Sequence, residues 1–249
     1  MAQSPAHKFG QIIGDTLENM VKPILADFSS KHNLYLDTKG NRPARRGTKV
    51  SWYDDAGNKH DLDFVLERGG NETQRGTPVA FIEVAWRRYT QHSRNKVQEI
   101  QGAIIPLTAT YRAVVPFTGA ILAGEFTDGA LSQLRSLGFA VLYLPYQSVV
   151  AAFSQIGVDA RSDESMPEIE YDRKIDALKS LHEGNRRDLA TVLFDDNRVR
   201  LDEFIESLTR SITRKIEHVQ IVILHGPVFE LKTIEEAILL IELSDESTN

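Results

Sequence analysis

The sequence predicts an α/β protein in which one mixed β-sheet is flanked by helices and followed by a mainly helical C-terminal subdomain. Two observations indicate this fold class. Amphipathic helical patterns alternate with short, strongly apolar segments that are typical of buried strands. A hydrophobic fraction of 41% and a charged fraction of 26% are those of a globular chain, and 249 residues can form one large domain or a domain with a smaller appendage.

The first elements predicted are a helix, a hairpin and a central strand. Apolar residues between positions 12 and 28 fall on one helical stripe. Residues 49–53 and 60–67 are predicted as the two strands of a hairpin, because residues 54–58 supply Asp, Gly and Asn for the turn. Residues 78–86 are too apolar for an edge strand, so we expect this strand to lie inside the sheet.

A polar connection at residues 157–170 separates the later elements into two groups. The elements predicted before it are a helix from about 90–93 to 105, a strand at 113–123, a helix at 127–137 and a strand at 139–144. Those predicted after it are helices at 171–193 and 201–216, strands at 218–224 and 228–231, and a helix that begins at Thr233. The sequence therefore indicates a core domain of residues 1–157 and a C-terminal subdomain of residues 158–249.

Composition excludes several classes of protein. The chain has no cysteine, which excludes disulfide scaffolds, thiolate zinc sites, thiol nucleophiles and iron–sulfur clusters. Its longest apolar-rich stretch, residues 139–153, is interrupted by polar residues, and no apolar run opens the chain, so we expect a cytoplasmic protein without a membrane span. The net charge of −6 means that any nucleic-acid site must be a local basic patch.

Two acidic residues, Asp63 and Glu83, lie in apolar strand sequence, where a charge is unfavourable unless it meets a cation. If the two strands are neighbours, both carboxylates can bind one divalent ion. Oxygen ligands favour Mg²⁺ or Mn²⁺. The alternative is that both are ordinary polar positions on an edge strand, or that they pair with arginines such as Arg87.

This order of elements, with an aspartate at the hairpin and a glutamate on the next strand, resembles the PD-(D/E)XK nuclease superfamily, whose restriction-endonuclease members cut DNA with Mg²⁺. The resemblance covers about residues 9–153. Asp63 matches the motif aspartate and Glu83 matches the (D/E) position. Glu18 on the first helix matches a place where some members offer a further acidic metal ligand, and a solvated glutamate is the alternative there.

The resemblance implies a restriction-endonuclease-like fold and a type II restriction enzyme that uses Mg²⁺ to cut duplex DNA at specific sites. Because such enzymes cut both strands of a palindromic site, a homodimer is also implied. The C-terminal subdomain carries no chemical motif, and we assign it to dimerisation or DNA contact.

The motif lysine, two residues after the glutamate, is replaced by Ala85. The ammonium group that normally orients and helps deprotonate the attacking water is therefore missing. Three interpretations stay open: Lys96 on the following helix replaces it, Arg87 on the strand replaces it, or the site has no catalytic base. The last interpretation favours a catalytically inactive nuclease-fold subunit of a defence or repair system, which binds nucleic acid or assembles with partners.

Basic residues gather in two short segments that contain no acid. Such clusters would bring a phosphate backbone to the carboxylates. The expected nucleic-acid contacts are Arg42, Arg45, Arg46 and Lys49 in the first segment, and Arg87, Arg88 and Arg94 in the second. The alternative is a solvated or salt-bridged face.

Overall fold

The computed structural model describes residues 4–163 and 165–246. Its helices are α1 (Pro5–Lys31), α2 (Ser93–Thr110), α3 (Asp128–Ser136), α4 (Tyr146–Gln155), α5 (Glu168–Lys179), α6 (Glu183–Asp196), α7 (Arg198–Thr213) and α8 (Ile234–Glu246). Its strands are β1 (Leu34–Thr38), β2 (Val50–Tyr53), β3 (Lys59–Leu62), β4 (Phe64–Arg68), β5 (Thr77–Arg87), β6 (Phe117–Gly124), β7 (Ala140–Pro145), β8 (Val219–Val222) and β9 (Val228–Leu231). The mixed α/β class predicted from the sequence is confirmed.

The main sheet has five strands in the order β1-β4-β5-β6-β7. β4 is antiparallel to both β1 and β5, whereas β5, β6 and β7 run parallel, so the sheet is mixed. β5 lies in the middle and is buried over most of its length, which confirms the prediction of a central strand. β2 and β3 form a separate antiparallel hairpin.

Side chains of the sheet alternate between two hydrophobic clusters. Ile82 and Val84 of β5 belong to the cluster that also includes residues of α1, α4, α5, α6 and α7. Phe81 and Ala85 belong to the cluster that includes residues of α2, α3 and the β2–β3 hairpin. Glu83 lies between Phe81 and Ala85 in this alternation, so it points to the same face of the sheet as they do, which we call the α2 face.

Helix α1 begins earlier than its apolar stripe predicts. The hydroxyl of Ser4 accepts a hydrogen bond from the amide of His7 at 3.3 Å, and Pro5 stands in the first turn, where its missing N–H is not needed. Ile13 and Leu17 are fully buried in the stripe. The cap and the proline therefore fix the start of the helix, and the stripe fixes its position on the sheet.

The strand predicted at residues 60–67 is two strands, β3 and β4, that meet at Asp63. β3 stays with β2 in the hairpin, whereas β4 enters the main sheet between β1 and β5. The strand predicted at residues 113–123 begins only at Phe117, because the residues before it form turns and Val115 has a φ of 44°. The helix predicted at 171–193 is divided into α5 and α6.

The described chain forms two compact units, Met1–Ile212 and Thr213–Asn249. The division does not fall near residue 157, where the polar connection suggests a boundary. Helices α5 to α7 belong to the first unit because they share its core: Tyr171 and Leu193 are buried in the same cluster as α1 and the sheet. A polar connection marks a loop, but buried apolar side chains on either side of it decide whether the chain changes domain.

The second unit contains the hairpin β8–β9 and helix α8. The hydroxyl of Thr233 accepts a hydrogen bond from the amide of Glu236 at 3.2 Å, so this helix begins at the predicted cap. Within the described residues, no helix is both long enough and apolar enough to cross a membrane.

Candidate active site

The strand register brings Asp63 and Glu83 together. Phe64 of β4 lies opposite Ile82 of β5, so the preceding residue of β4 faces the following residue of β5. The backbone amide of Asp63 donates to Glu83 Oε1 at 3.2 Å, and the amide of Val84 donates to Asp63 Oδ2 at 2.8 Å. Each carboxylate is therefore fixed by the backbone of the neighbouring strand.

Of the two carboxyl groups, that of Glu83 is buried and that of Asp63 is half-buried. Glu83 is 7% exposed, and burial raises its pKa well above the ordinary value, with a further rise from the charge of Asp63. Burial also raises the pKa of Asp63, against the lowering effects of the Val84 hydrogen bond and of Lys96 and Lys39. Two desolvated carboxylates that repel each other favour a bound proton or a bound cation.

Glu18 lies half-buried on α1, within electrostatic range of the pair. Burial raises its pKa to about 7, and the charges of Asp63 and Asp15 contribute to the rise. Within the described ranges, no group of three or more His, Asp or Glu side chains has the arrangement of a metal site. The structure therefore brings Asp63 and Glu83 together as a pair and places Glu18 within electrostatic range of both, so its role as a further metal ligand stays a prediction.

The donor atoms of the pair fit a hard divalent cation. One oxygen of each carboxylate accepts a backbone amide, and the second oxygens, Asp63 Oδ1 and Glu83 Oε2, could bind the cation. Mg²⁺ commonly binds through one or two carboxylates and completes its coordination with water and substrate phosphates. The chemistry of the site is therefore that expected for Mg²⁺ or Mn²⁺.

Lys96 is the predicted basic residue whose charge acts on both members of this pair. It lies in the first turns of α2 with its side chain 20% exposed, and its ammonium group is 3.3 Å from Glu99 Oε2. Its positive charge lowers the pKa of both Asp63 and Glu83, although burial keeps both raised. Of the positions considered for the missing lysine, this one acts electrostatically on both carboxyls.

Arg87 and Ala85 continue β5 beyond Glu83. The guanidinium of Arg87 donates to the Trp86 carbonyl at 2.9 Å and lies 3.7 Å from Glu99 Oε2. Burial lowers the pKa of Arg87, and Glu99 partly offsets this effect. Ala85 is buried in the apolar cluster of the α2 face. The position of the motif lysine is thus part of the core.

The expectation that Arg42 and Arg45 contact phosphates is wrong for this structure, because both side chains are buried. Arg42 donates to Glu67 Oε1 at 2.5 Å and Oε2 at 2.9 Å, and lies 2.9 Å from Asp37 Oδ2. Arg45 donates to both oxygens of Asp37 at 3.2 Å. These arginines neutralise carboxylates of β1 and β4 and hold the loop between β1 and β2 on the sheet.

The other predicted nucleic-acid contacts are at least partly accessible. Arg46 and Arg94 are exposed. Lys49 is also exposed and pairs with Asp61 Oδ2 at 2.8 Å. Arg88 is half-buried, where it donates to the hydroxyl of Tyr171 at 2.5 Å and lies over the ring of Tyr89 at 4.1 Å. Arg46 and Arg94 are therefore the arginines best placed for an added anion.

One residue near the site, Lys39, is not among the site residues predicted from the sequence. Lys39 follows β1 directly, is exposed, and its charge lowers the pKa of both Asp63 and Glu18. In the sequence, Lys39 is a lysine at the end of a short strand. It can be recognised as a site residue only when the order of the strands in the sheet is known. The sequence does not show that β1 pairs with β4.

The chain matches no protein-family model and no curated protein. A crystal structure of a protein of unknown function, AF1548, is similar to it with 8% sequence identity and a TM-score of 0.30, over 76% of this chain and 95% of that chain. A similarity at this level carries no argument, so any function must be inferred from the site itself.

Proposed function

We propose that this protein is a Mg²⁺-dependent, site-specific endonuclease of the restriction type, which hydrolyses phosphodiester bonds in duplex DNA. The observation that supports this proposal most directly is the Asp63–Glu83 pair, with each carboxylate fixed by an amide of the other strand. Burying Glu83 and placing the half-buried Asp63 beside it is unfavourable for stability, which is typical of a functional site.

Each residue of the site has a separate role in the proposed reaction. Mg²⁺, when bound, polarises the scissile phosphate and lowers the pKa of a water molecule. Asp63 and Glu83 would hold the ion through their carboxylate oxygens. Lys96 orients the attacking water and stabilises negative charge on the phosphate. Arg94 and Arg46, which are both exposed, contact the DNA backbone and set its position.

The proposal includes a homodimer that acts in the cytoplasm. Cleavage of both strands of a palindromic site needs two copies of the carboxylate pair, which a twofold dimer supplies. Residues 158–249 remain our assignment for dimerisation or DNA contact, with helices α5 to α7 forming part of the first compact unit.

The second candidate function is that of a catalytically inactive nuclease-fold protein that binds nucleic acid or assembles with partners. Ala85 favours it, because the lysine expected from the family resemblance is replaced by a buried apolar residue. An inactive protein has little reason to retain a site that binds a divalent ion, so metal binding and cleavage distinguish the two candidates.

The first test is incubation of the purified chain with long duplex DNA and Mg²⁺ or Mn²⁺. We expect discrete fragments, and we expect Asp63→Asn and Glu83→Gln each to abolish cleavage while duplex binding in Ca²⁺ is retained. These amides preserve side-chain shape and remove the charge that would hold the metal. Undiminished cleavage by either variant would remove the pair from the mechanism.

A second test measures metal binding without DNA. Mn²⁺ at a hundredfold excess over its Kd should raise the free energy of unfolding by about 2.7 kcal/mol, and Glu83→Gln should lose this gain. Asp27→Asn is the matched control, because Asp27 is an exposed carboxylate paired with Lys31. A chain that neither cuts DNA nor gains stability from Mn²⁺ would favour the inactive candidate.

A further inference from the structure

The register of β1 with β4 brings the end of a third strand close to the carboxylate site. Thr38, the last residue of β1, lies opposite Phe64, the first residue of β4. Lys39 directly follows Thr38 and Asp63 directly precedes Phe64, so both residues lie just beyond this last pair of the ladder. The register therefore brings Lys39 and Asp63 to the same end of the β1–β4 ladder.

The backbone at Lys39 is fixed on both sides. The Arg45 guanidinium donates to the carbonyl of Thr38 at 2.7 Å, and the amide of Gly40 donates to the carbonyl of Thr48 at 2.8 Å. Gly40 has a φ of 146°, a conformation that glycine adopts more readily than other residues. The position of residue 39 is therefore set by the surrounding loop, while its side chain is exposed to an incoming ligand.

The electrostatics agree with this placement. The positive charge of Lys39 lowers the pKa of Asp63 and of Glu18, against the raising effect of burial at both groups. Its ammonium group is thus within range of two acidic residues of the site. Lys96 acts on the same two residues from α2, so cations on two different elements flank the acidic groups.

We propose that Lys39 is a cationic member of this site, which contacts a non-bridging phosphate oxygen of the bound DNA beside Asp63 and Glu83. This inference rests on the proposed nuclease function and deepens it by adding the residue that directly follows β1. Lys39 and Lys96 together supply the positive charge that the family resemblance places at position 85. Lys39 stabilises the charge that develops on the phosphate and takes no proton.

The test compares Lys39→Met with the parent chain in two measurements, Mn²⁺ affinity without DNA and the rate of DNA cleavage. We expect Mn²⁺ affinity to rise about threefold, because a positive charge that repels the ion is removed. We expect the cleavage rate to fall about tenfold or more, because a charge that stabilises the transition state is removed. A purely structural role for Lys39 would lower both quantities together.

Two further variants complete the experiment. Lys39→Arg should keep the parent's Mn²⁺ affinity within about twofold, because it retains the charge. Lys31→Met makes the same change of net charge at an exposed lysine paired with Asp27, and should alter neither quantity. If the parent cuts DNA and Lys39→Met equals it in both measurements, the inference is wrong and the nuclease proposal stands.

The remaining outcomes separate the two proposals. If the parent binds Mn²⁺ but cuts no duplex, the nuclease proposal is wrong, and the affinity of Lys39→Met still decides whether this lysine belongs to the site. If the parent binds no Mn²⁺ and cuts no duplex, both proposals are wrong.

Discussion

Strand β4 and its neighbours carry two pairs of acidic residues with opposite surroundings. Asp37 and Glu67 are almost fully buried, at 1% and 0% exposure, and both are paired with Arg42. Asp63 and Glu83 face each other, and one oxygen of each carboxylate accepts a hydrogen bond from a backbone amide. The first pair is neutralised inside the protein by direct ion pairs, whereas the second keeps raised pKa values despite the charge of Lys96 and therefore favours a proton or an added cation.

This contrast indicates how a buried acid should be interpreted in this fold. A buried carboxylate that is paired with a guanidinium has a structural role. Glu67 binds Arg42 and Asp37 binds Arg45, and these ion pairs hold the loop between β1 and β2 in place. A pair of carboxylates with raised pKa values, one inside β5 and one directly before β4, has no such explanation. Burial alone therefore does not identify the functional site; the identity of the partners does.

The largest expected effect is a loss of stability when Asp37 and Glu67 lose the arginine that neutralises them. Arg42→Met should lower the free energy of unfolding by about 3–5 kcal/mol, because it leaves Asp37 and Glu67 buried without their shared cation. Urea unfolding measures the change. Arg46→Met, at an exposed arginine of the same loop, should change stability by less than about 0.5 kcal/mol. Equal stability of the two variants would contradict the buried network.

The next largest effect is expected on the rate of DNA cleavage, at the Asp63–Glu83 pair. Lys96→Ala should lower the cleavage rate about a hundredfold, because an ammonium group whose charge acts on both carboxylates is lost. Lys96→Arg should recover little, since a planar guanidinium has a different reach and does not exchange its proton near pH 7. Initial rates at saturating DNA and Mg²⁺ measure the change.

Ala85→Lys in the Lys96→Ala background is the companion experiment. It restores a lysine two residues after Glu83 on the same strand, and it should recover part of the rate. Because Ala85 is 4% exposed, this variant also needs a measured free energy of unfolding. If Lys96→Ala cuts as fast as the parent, the basic function does not lie on α2, and Arg87 becomes the next residue to test.

Local patterns in the sequence predict much of the fold and the candidate site. The apolar run of β5 predicts a buried central strand, and the structure has one. The acids embedded in apolar sequence, Asp63 and Glu83, are predicted as a pair and do face each other. Both predictions succeed because they depend on the desolvation of particular side chains, which neighbouring residues in the sequence largely determine.

What the sequence does not show are the long-range partners. The segment with Arg42 and Arg45 contains no acid, so it is predicted as a phosphate-binding loop, yet its partners are Asp37 on β1 and Glu67 on β4. Lys39 is overlooked for the same reason, because its neighbour Asp63 is reached through the β1–β4 register. Charge patterns along a chain identify cations, but the fold decides which anion each of them meets.

A smaller effect should appear in the pH dependence of stability. Glu18 has a pKa of about 7 in the folded chain, and the pKa of Glu83 is raised well above its ordinary value, so the folded state keeps protons that the unfolded state loses above about pH 4.5. Stability without divalent ions should therefore fall as the pH rises from about 4.5 through 7.

Glu83→Gln should flatten this dependence, because the amide needs no proton to remain neutral. The measurement is urea unfolding at several pH values in the presence of a chelator. Glu206→Gln is the control, since Glu206 is an exposed partner of Arg210 and should leave the slope unchanged. A parent chain that becomes more stable over the same pH interval would show that the pair is neutralised in some other way.

The smallest expected effect is on the salt dependence of DNA binding, at the exposed arginines. It is measured under conditions in which binding occurs without cleavage. If Arg46 and Arg94 each contact one phosphate, each Arg-to-Ala change should flatten the slope of log K against log salt by about 0.9 for duplex DNA, measured in Ca²⁺ so that no strand is cut. Lys31→Ala should leave the slope unchanged. Because Arg42 and Arg45 are neutralised by carboxylates, they add nothing to the slope. If the parent's slope of log K against log salt is steeper than its exposed cations can account for, the loop between β1 and β2 must release Arg42 and Arg45 when DNA binds.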